Sequence, residues 1–307
     1  MKVLIGIDGS KGGFAALRMA TRLLSPATDR VALYYSPPDI RPLAASGISP
    51  EIVERANAAL TKAVLDEGCS LLPDPLRESV HTIVGTKNPR QGINLAANAW
   101  PAELIVVGAS AKRKFARLFL GSVARSVVHA ATVPVLVVRS AEGEPPDGPM
   151  RVLVAFDGLG GIRQSAAVLK RLTWPEKTNG RVMTVVAPSL SPEVSEWLDR
   201  HARDADIGAL ARTWAREHEV DQLRSRDELV QFCRQLPPLF QESEPLLAEG
   251  QPAERILDTI DSEKTDLVVL GSNSKRAIDP LLLGSTSDRI LSHAHCSVLI
   301  VPEQPQP

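Results

Sequence analysis

Short blocks in which nearly every residue is apolar alternate along this chain with longer blocks whose apolar residues recur at three- and four-residue spacing. Lys2 to Ile7 and Val31 to Tyr35 are of the first kind; Phe14, Leu17, Ala20, Leu23 and Leu24 mark the second. Consecutive apolar residues suit a strand buried on both faces, as in a parallel sheet covered by helices, and the wider spacing suits a helix with one apolar face. The order continues through a Pro-rich loop (Pro37, Pro38, Pro42, Pro50), a helix over about 51 to 69, a third strand ending at Gly85 and a helix opened by Pro89. A fourth strand stops at Gly108, a loop follows, a helix restarts at Gly121-Ser122, and Pro134 to Val138 is a fifth strand. Strands alternating with helices through right-handed crossovers predict a doubly wound α/β domain, with a five-stranded parallel sheet and helices on both faces.

The pattern then occurs a second time. VVGASAKRKFARLFLGSVARSVVHAATVPVLVV, from Val106, is matched by VLGSNSKRAIDPLLLGSTSDRILSHAHCSVLIV, from Val269, and Gly108/Gly271 and Gly121/Gly284 share one offset of 163. Arg151 to Phe156, Arg181 to Ala187 and Ser297 to Val301 repeat the first, second and fifth strands. The chain reads as a duplication: two Rossmann-like domains, 1–140 and 150–307, around a linker, AEGEPPDGP, at 141–149. The offset grows from 149 at Asp8/Asp157 to 165 at Gly85/Gly250, so about sixteen extra residues lie in a helical insertion near 190–243. Trp197, Leu210, Trp214 and Phe232 are its expected inward anchors, and a longer surface helix pair is the plain reading of it.

Open parallel sheets bind ligands beyond the carboxyl ends of their strands, and a loop closing on Gly-Ser at a helix start offers backbone N–H groups to an anion. The spacings Gly108-x2-Ala111-x9-Gly121-Ser122 and Gly271-x2-Ser274-x9-Gly284-Ser285 resemble the nucleotide loop of the universal stress protein superfamily, Gly-x2-Gly-x9-Gly-(Ser/Thr). The resemblance covers nearly the whole chain, as a tandem member. Both copies replace the second glycine, by Ala111 and Ser274, which puts a side chain where the backbone approaches a phosphate.

The resemblance implies ATP as ligand, with Mg²⁺ as its companion ion, and carries over residues of both copies. From the loop come Val107, Gly108, Ala111, Lys112, Gly121, Ser122 and Val123 in the first, and Gly271, Ser274, Gly284, Ser285 and Thr286 in the second. Asp8, with Gly9 and Ser10, and its counterpart Asp157 would lie beside the adenosine and phosphates; the plain alternative is a turn aspartate capping the next helix. Gly85, and Gly250 with Pro252, would lie near the adenine. Lys112, Arg113 and Lys114 would suit a triphosphate, and the plain reading is a solvated charge run on an exposed loop. Ser10, Ser122 and these cations favour the first copy as the nucleotide site, because the second has Leu159 where the first has Ser10. The family also pairs subunits through its last strand, so the two halves are expected to pair through theirs, with a homodimer as the other option.

Composition narrows the picture. Twenty-three percent charged residues and a net charge of −1 describe an ordinary protein; the halves carry +4 and −5, too little to hold nucleic acid. Cys69, Cys233 and Cys296 have no paired spacing, which argues against disulfides and zinc and for a reducing cytoplasm. Met1-Lys2 runs directly into VLIGI, too short for a signal peptide, and no run reaches the roughly 18 apolar residues of a membrane span. His293 and His295 fall on different helix faces, a structural rather than metal-binding pattern. Gly9-Ser10-Lys11-Gly12 is not a Walker loop, and no nucleophile-base pair is visible, so catalytic residues are expected to be absent. Three readings follow: a cytoplasmic ATP-binding stress regulator whose output is binding, a nucleotide-free interaction scaffold, and, less favoured, a slow ATPase.

Overall fold

The computed structural model describes residues 1–39, 48–109, 120–139, 148–158, 160–187, 190, 192–272 and 283–303. In the first half, β1 (Lys2–Ile7), α1 (Lys11–Arg22), β2 (Arg30–Tyr35), α2 (Pro50–Ser70), α3 (Asp74–Glu78) and β3 (His81–Val84) are followed by α4 (Pro89–Ala99), β4 (Leu104–Gly108), α5 (Ser122–Ala130) and β5 (Val135–Val138). The second half repeats this as β6 (Arg151–Phe156), α6 (Gly160–Arg171), β7 (Asn179–Val186), α7 (Pro192–His201), α8 (Ala205–Cys233) and β8 (Leu246–Glu249), then α9 (Pro252–Glu263), β9 (Leu267–Gly271), α10 (Ser285–His293) and β10 (Ser297–Val301).

Local chemistry sets these boundaries. Ser10 caps α1, its hydroxyl accepting from the Gly13 N–H at 3.1 Å, and Asp204 caps α8 by accepting from the Asp206 and Ile207 N–H groups. Pro89 and Pro252 stand in the first turns of their helices, where an N–H has no intrahelical partner anyway. Lys264, in the left-handed region at φ 52°, ends α9.

Among the described residues ten strands join one sheet in the order β3-β2-β1-β4-β5-β10-β9-β6-β7-β8. Every pairing is parallel except β5 with β10, which is antiparallel and sets Leu136 opposite Leu299, the same position of the two repeats. A pseudo-twofold axis therefore passes through that pair. Beside it, Arg139 donates from its backbone to the Ser297 hydroxyl at 3.2 Å and from its guanidinium to the Leu291 carbonyl. Further out, Arg171 and Glu103 form an ion pair at 2.6 Å between the halves, and the Thr173 N–H donates to the Leu23 carbonyl at 2.9 Å. Two cores, one on each face of the sheet, run through both halves.

The insertion departs from its expected packing. Phe232 is fully buried, but Trp197 and Leu210 are 45% and 59% exposed, so two of the four expected anchors point outward. Leu229, Phe232 and Cys233, in the last turns of α8, carry most of its burial, and the helix packs against both β7 and α7. Helical spacing marks which residues share a face, and here only part of that face is covered. Trp197 and Trp214 instead stack on His201 and His218 of their own helices.

Candidate functional site

At the carboxyl ends of the second half's strands lies a cavity of about 870 Å³, within the usual range of small-molecule sites of roughly 300–1,000 Å³. It is lined by Asp157, Pro252, Gly271, Gly284, Ser285 and Thr286, six of the eight positions the sequence singled out in this copy. Gly250 ends the neighbouring strand at φ +130° and is outside the lining; Ser274 lies outside the described residues. Ala155, Met183, Val185, Ile256 and Leu270 give the cavity an apolar side.

Its polar floor is the start of α10. Gly284 is the N-cap and no side chain caps the helix, so the first-turn N–H groups have neither intrahelical nor side-chain acceptors from the cap. The Ser287 hydroxyl is already engaged, donating to the Gly271 carbonyl at 2.6 Å, and thereby fixes the helix start to the end of β9.

The wall facing this floor was not foreseen. Asp221, Arg224, Ser225 and Glu228 of α8 line the cavity, as does Arg163 of α6. Their three- and four-residue spacing was legible as one helix face, but nothing in the sequence said that this face meets the crevice. Among the described residues the cavity thus belongs to the second half, although the sequence favoured the first. The insertion, read as a surface helix pair, forms one side of it.

The first half differs at matching positions. Val64 of α2 lies over the Gly9 turn, 3.1 Å from where a glycine Cβ would be, whereas in the second half Glu228 holds that place over Gly158, at 3.2 Å. Gly68 lets α2 approach so closely that an added Cβ would stand 2.8 Å from Ile7 Cδ1. The equivalent positions in the second half are Phe232 and Phe156, whose rings stack at 4.6 Å and hold α8 away from the strand end. Tyr34, in register with Met183 of the cavity wall, is buried, its hydroxyl 2.0 Å from a Cβ built on either Gly85 or Gly92. Burial raises the Tyr34 pKa, an effect that the neighbouring Ser36 hydroxyl offsets in part. Four matched positions thus differ around the strand ends: Val64/Glu228, Gly68/Phe232, Ile7/Phe156 and Tyr34/Met183.

The remaining first-copy positions are accounted for in place. The Asp8 carboxylate accepts from the Ser10 N–H at 3.0 Å and from its hydroxyl, so Asp8 braces the cap that Ser10 provides. Gly108 must be glycine, since a Cβ would meet the Gly12 carbonyl oxygen at 2.5 Å. Val107 is buried in β4, opposite Gly6 of β1, and Val123 packs on the core beneath α5. Gly121 caps α5 without a side-chain bond, and the Ser122 hydroxyl accepts from Arg90 at 2.9 Å. Ala111 and Lys112 lie outside the described residues, as do Arg113, Lys114 and Leu159. His293 bonds the Arg289 carbonyl at 2.8 Å and His295 pairs with Asp261 at 2.9 Å, each with a separate partner.

Two α/β repeats, each with a glycine-initiated helix at the carboxyl end of its fourth strand, define a class, and comparison names it. The model of the universal stress protein family matches twice, at residues 1–139 and 149–302, and the chain belongs to that family. It is similar to a universal stress protein of Mycolicibacterium smegmatis, 24% identical over 304 residues covering 97% of this chain and 96% of the relative. One from Mycobacterium tuberculosis is 23% identical over 321 residues, covering 98% and 96%. The crystal structure of a universal stress protein from Archaeoglobus fulgidus has the same fold, at a TM-score of 0.60 and 17% identity, over 99% of this chain and 98% of that one. No helix among the described residues is long and apolar enough to cross a membrane.

Proposed function

We propose that this chain is a stress-response regulator that binds an adenine nucleotide, ATP in the first instance, in the cavity of its second half. The observation that carries the reading is the convergence of Asp157, Pro252, Gly271, Gly284, Ser285 and Thr286 on one cavity, with an apolar side for a base and an uncapped helix start for phosphate. Asp157 and Asp221 share the lining and would meet a Mg²⁺ that arrives on the nucleotide. No group of three or more metal-ligating side chains exists among the described residues, so the ion would come with its ligand.

Binding rather than turnover is the output. Among the described residues the lining holds no histidine, lysine, cysteine or tyrosine, and of its carboxylates Glu228 is paired with Arg163 and Arg224. Rapid phosphoryl transfer needs a positioned attacking group as well as charge neutralisation.

The test is calorimetric titration of ATP into wild type, Ser285→Asp and Ser122→Asp. An aspartate in the first turn suits the helix dipole, so both variants should fold, while its charge repels phosphate. Ser285→Asp should weaken binding by about tenfold or more, equivalent to about 1.4 kcal/mol, and Ser122→Asp should leave it unchanged. The reverse order would move the site to the first half, and no binding to wild type would favour the scaffold reading.

A further inference from the structure

Resting on the nucleotide reading above, we propose that Arg163 and Arg224 form a phosphate clamp peculiar to the second half, and that Glu228 is its built-in occupant, displaced when the ligand's anionic tail enters. The Glu228 carboxylate lies between the two guanidiniums: Arg163 Nη2 is 3.3 Å from Oε2 and Arg224 Nε is 3.2 Å from Oε1. All three residues line the cavity. Arg163 is held from two further sides, its Nε donating to the Gly158 carbonyl at 2.9 Å and its guanidinium lying 5.4 Å from the centre of the Phe156 ring. Its position is therefore set before any ligand arrives. Glu228 rests against the Gly158 turn, directly after Asp157, where that strand end opens into the crevice.

The first half shows that this trio is an addition rather than a feature of the fold. Taking Val64 over Gly9 as the equivalent of Glu228 over Gly158, the positions matching Arg163, Arg224 and Glu228 are Phe14, Leu60 and Val64. All three are apolar, and Phe14 and Val64 are buried. Three charges thus replace three apolar side chains on two helices, at the place where the cavity is open.

A phosphate chain can accept from both guanidiniums at once, and an arginine fork matches its oxygens better than a single carboxylate can. The internal pairs are part-exposed, with Arg224 77% and Glu228 34% accessible, so the protein gives up little when Glu228 swings into solvent. An uncharged nucleoside gains nothing from the exchange. The clamp accordingly selects for phosphate-bearing ligands, and Glu228 sets how tightly.

The experiment titrates ATP and adenosine separately into wild type, Arg163→Ala/Arg224→Ala and Glu228→Gln, with thermal unfolding as a folding control. The double variant should lose about tenfold or more in ATP affinity and stay within about twofold for adenosine. Glu228→Gln should bind ATP about three- to tenfold more tightly and adenosine as before. Equal losses for both ligands, or none, in the double variant would overturn the clamp. Unchanged or weaker ATP binding by Glu228→Gln would overturn the occupant role. If wild type binds neither ligand, the nucleotide reading fails first, in an arm that involves none of these side chains, and the clamp falls with it.

Discussion

Arg125 and Asp288 are the same position of the two repeats, four residues beyond Gly121 and Gly284, and they meet across the pseudo-twofold axis with Nη1 2.8 Å from Oδ1. Arg125 also reaches the Ser292 hydroxyl at 2.8 Å. Two identical halves would place like charges here. The opposite signs favour pairing of the first half with the second over pairing of either with itself.

Arg125→Asp should therefore cost about 1 kcal/mol in denaturant unfolding, and Arg125→Asp/Asp288→Arg should recover most of it. Equal destabilisation by the double exchange would show that the contact contributes through packing and not through charge.

Gly85 and Tyr34 should be strongly coupled. A Cβ on Gly85 would overlap the Tyr34 hydroxyl at 2.0 Å and its Cζ at 2.5 Å, so Gly85→Ala is expected to cost about 2 kcal/mol. With Tyr34→Met, the residue the second half has at that register, the added cost should fall to about 0.5 kcal/mol or less. Chemical denaturation of the four proteins gives the coupling directly.

Acid should loosen the contact between the halves through Glu103. The Arg171 hydrogen bond, helped by the Lys2 N–H and the charges of Arg171 and the amino terminus, lowers its pKa to about 2 despite partial burial. A depressed carboxylate contributes stability above its ordinary pKa, and that contribution fades as pH falls from about 4.5 through 2. The pair is about two-fifths exposed, so after solvent screening its worth is about 1 kcal/mol. Urea unfolding of wild type and Glu103→Gln should differ by that amount at neutral pH and converge as the solution approaches about pH 2.

The thiols should respond unequally to a disulfide reagent at neutral pH. Burial pushes Cys296 up to about 12 and raises Cys233 and Cys69 as well, with Asp66 adding to the rise at Cys69 and Arg77 opposing it. Only Cys69 is part-exposed, so the native protein should show one slow thiol and the unfolded protein three. Rapid labelling of two or more in the native state would contradict this packing.

The duplication was legible because glycines forced by close backbone approach, such as Gly108 on Gly12, leave a rigid spacing that is easily seen twice. The elements were legible because strands buried on both faces are continuously apolar. Which helix faces line the crevice of the second half was not. That depends on contacts between residues far apart in sequence, such as Gly68 with Ile7, Phe232 with Phe156, and Tyr34 with Gly85 and Gly92. Trp197 and Leu210 depart from the expected packing because an apolar side chain in a helical pattern expects a neighbour, and these two remain 45% and 59% exposed.

Because β5 meets β10 head to tail, the strands of the two halves run in opposite directions, and their carboxyl ends lie on opposite margins of the shared sheet. Whatever docks at one margin does not touch the other. News of an occupied crevice must then travel through the contacts between the halves, with the β5–β10 pairing at their centre, or stay where it arose.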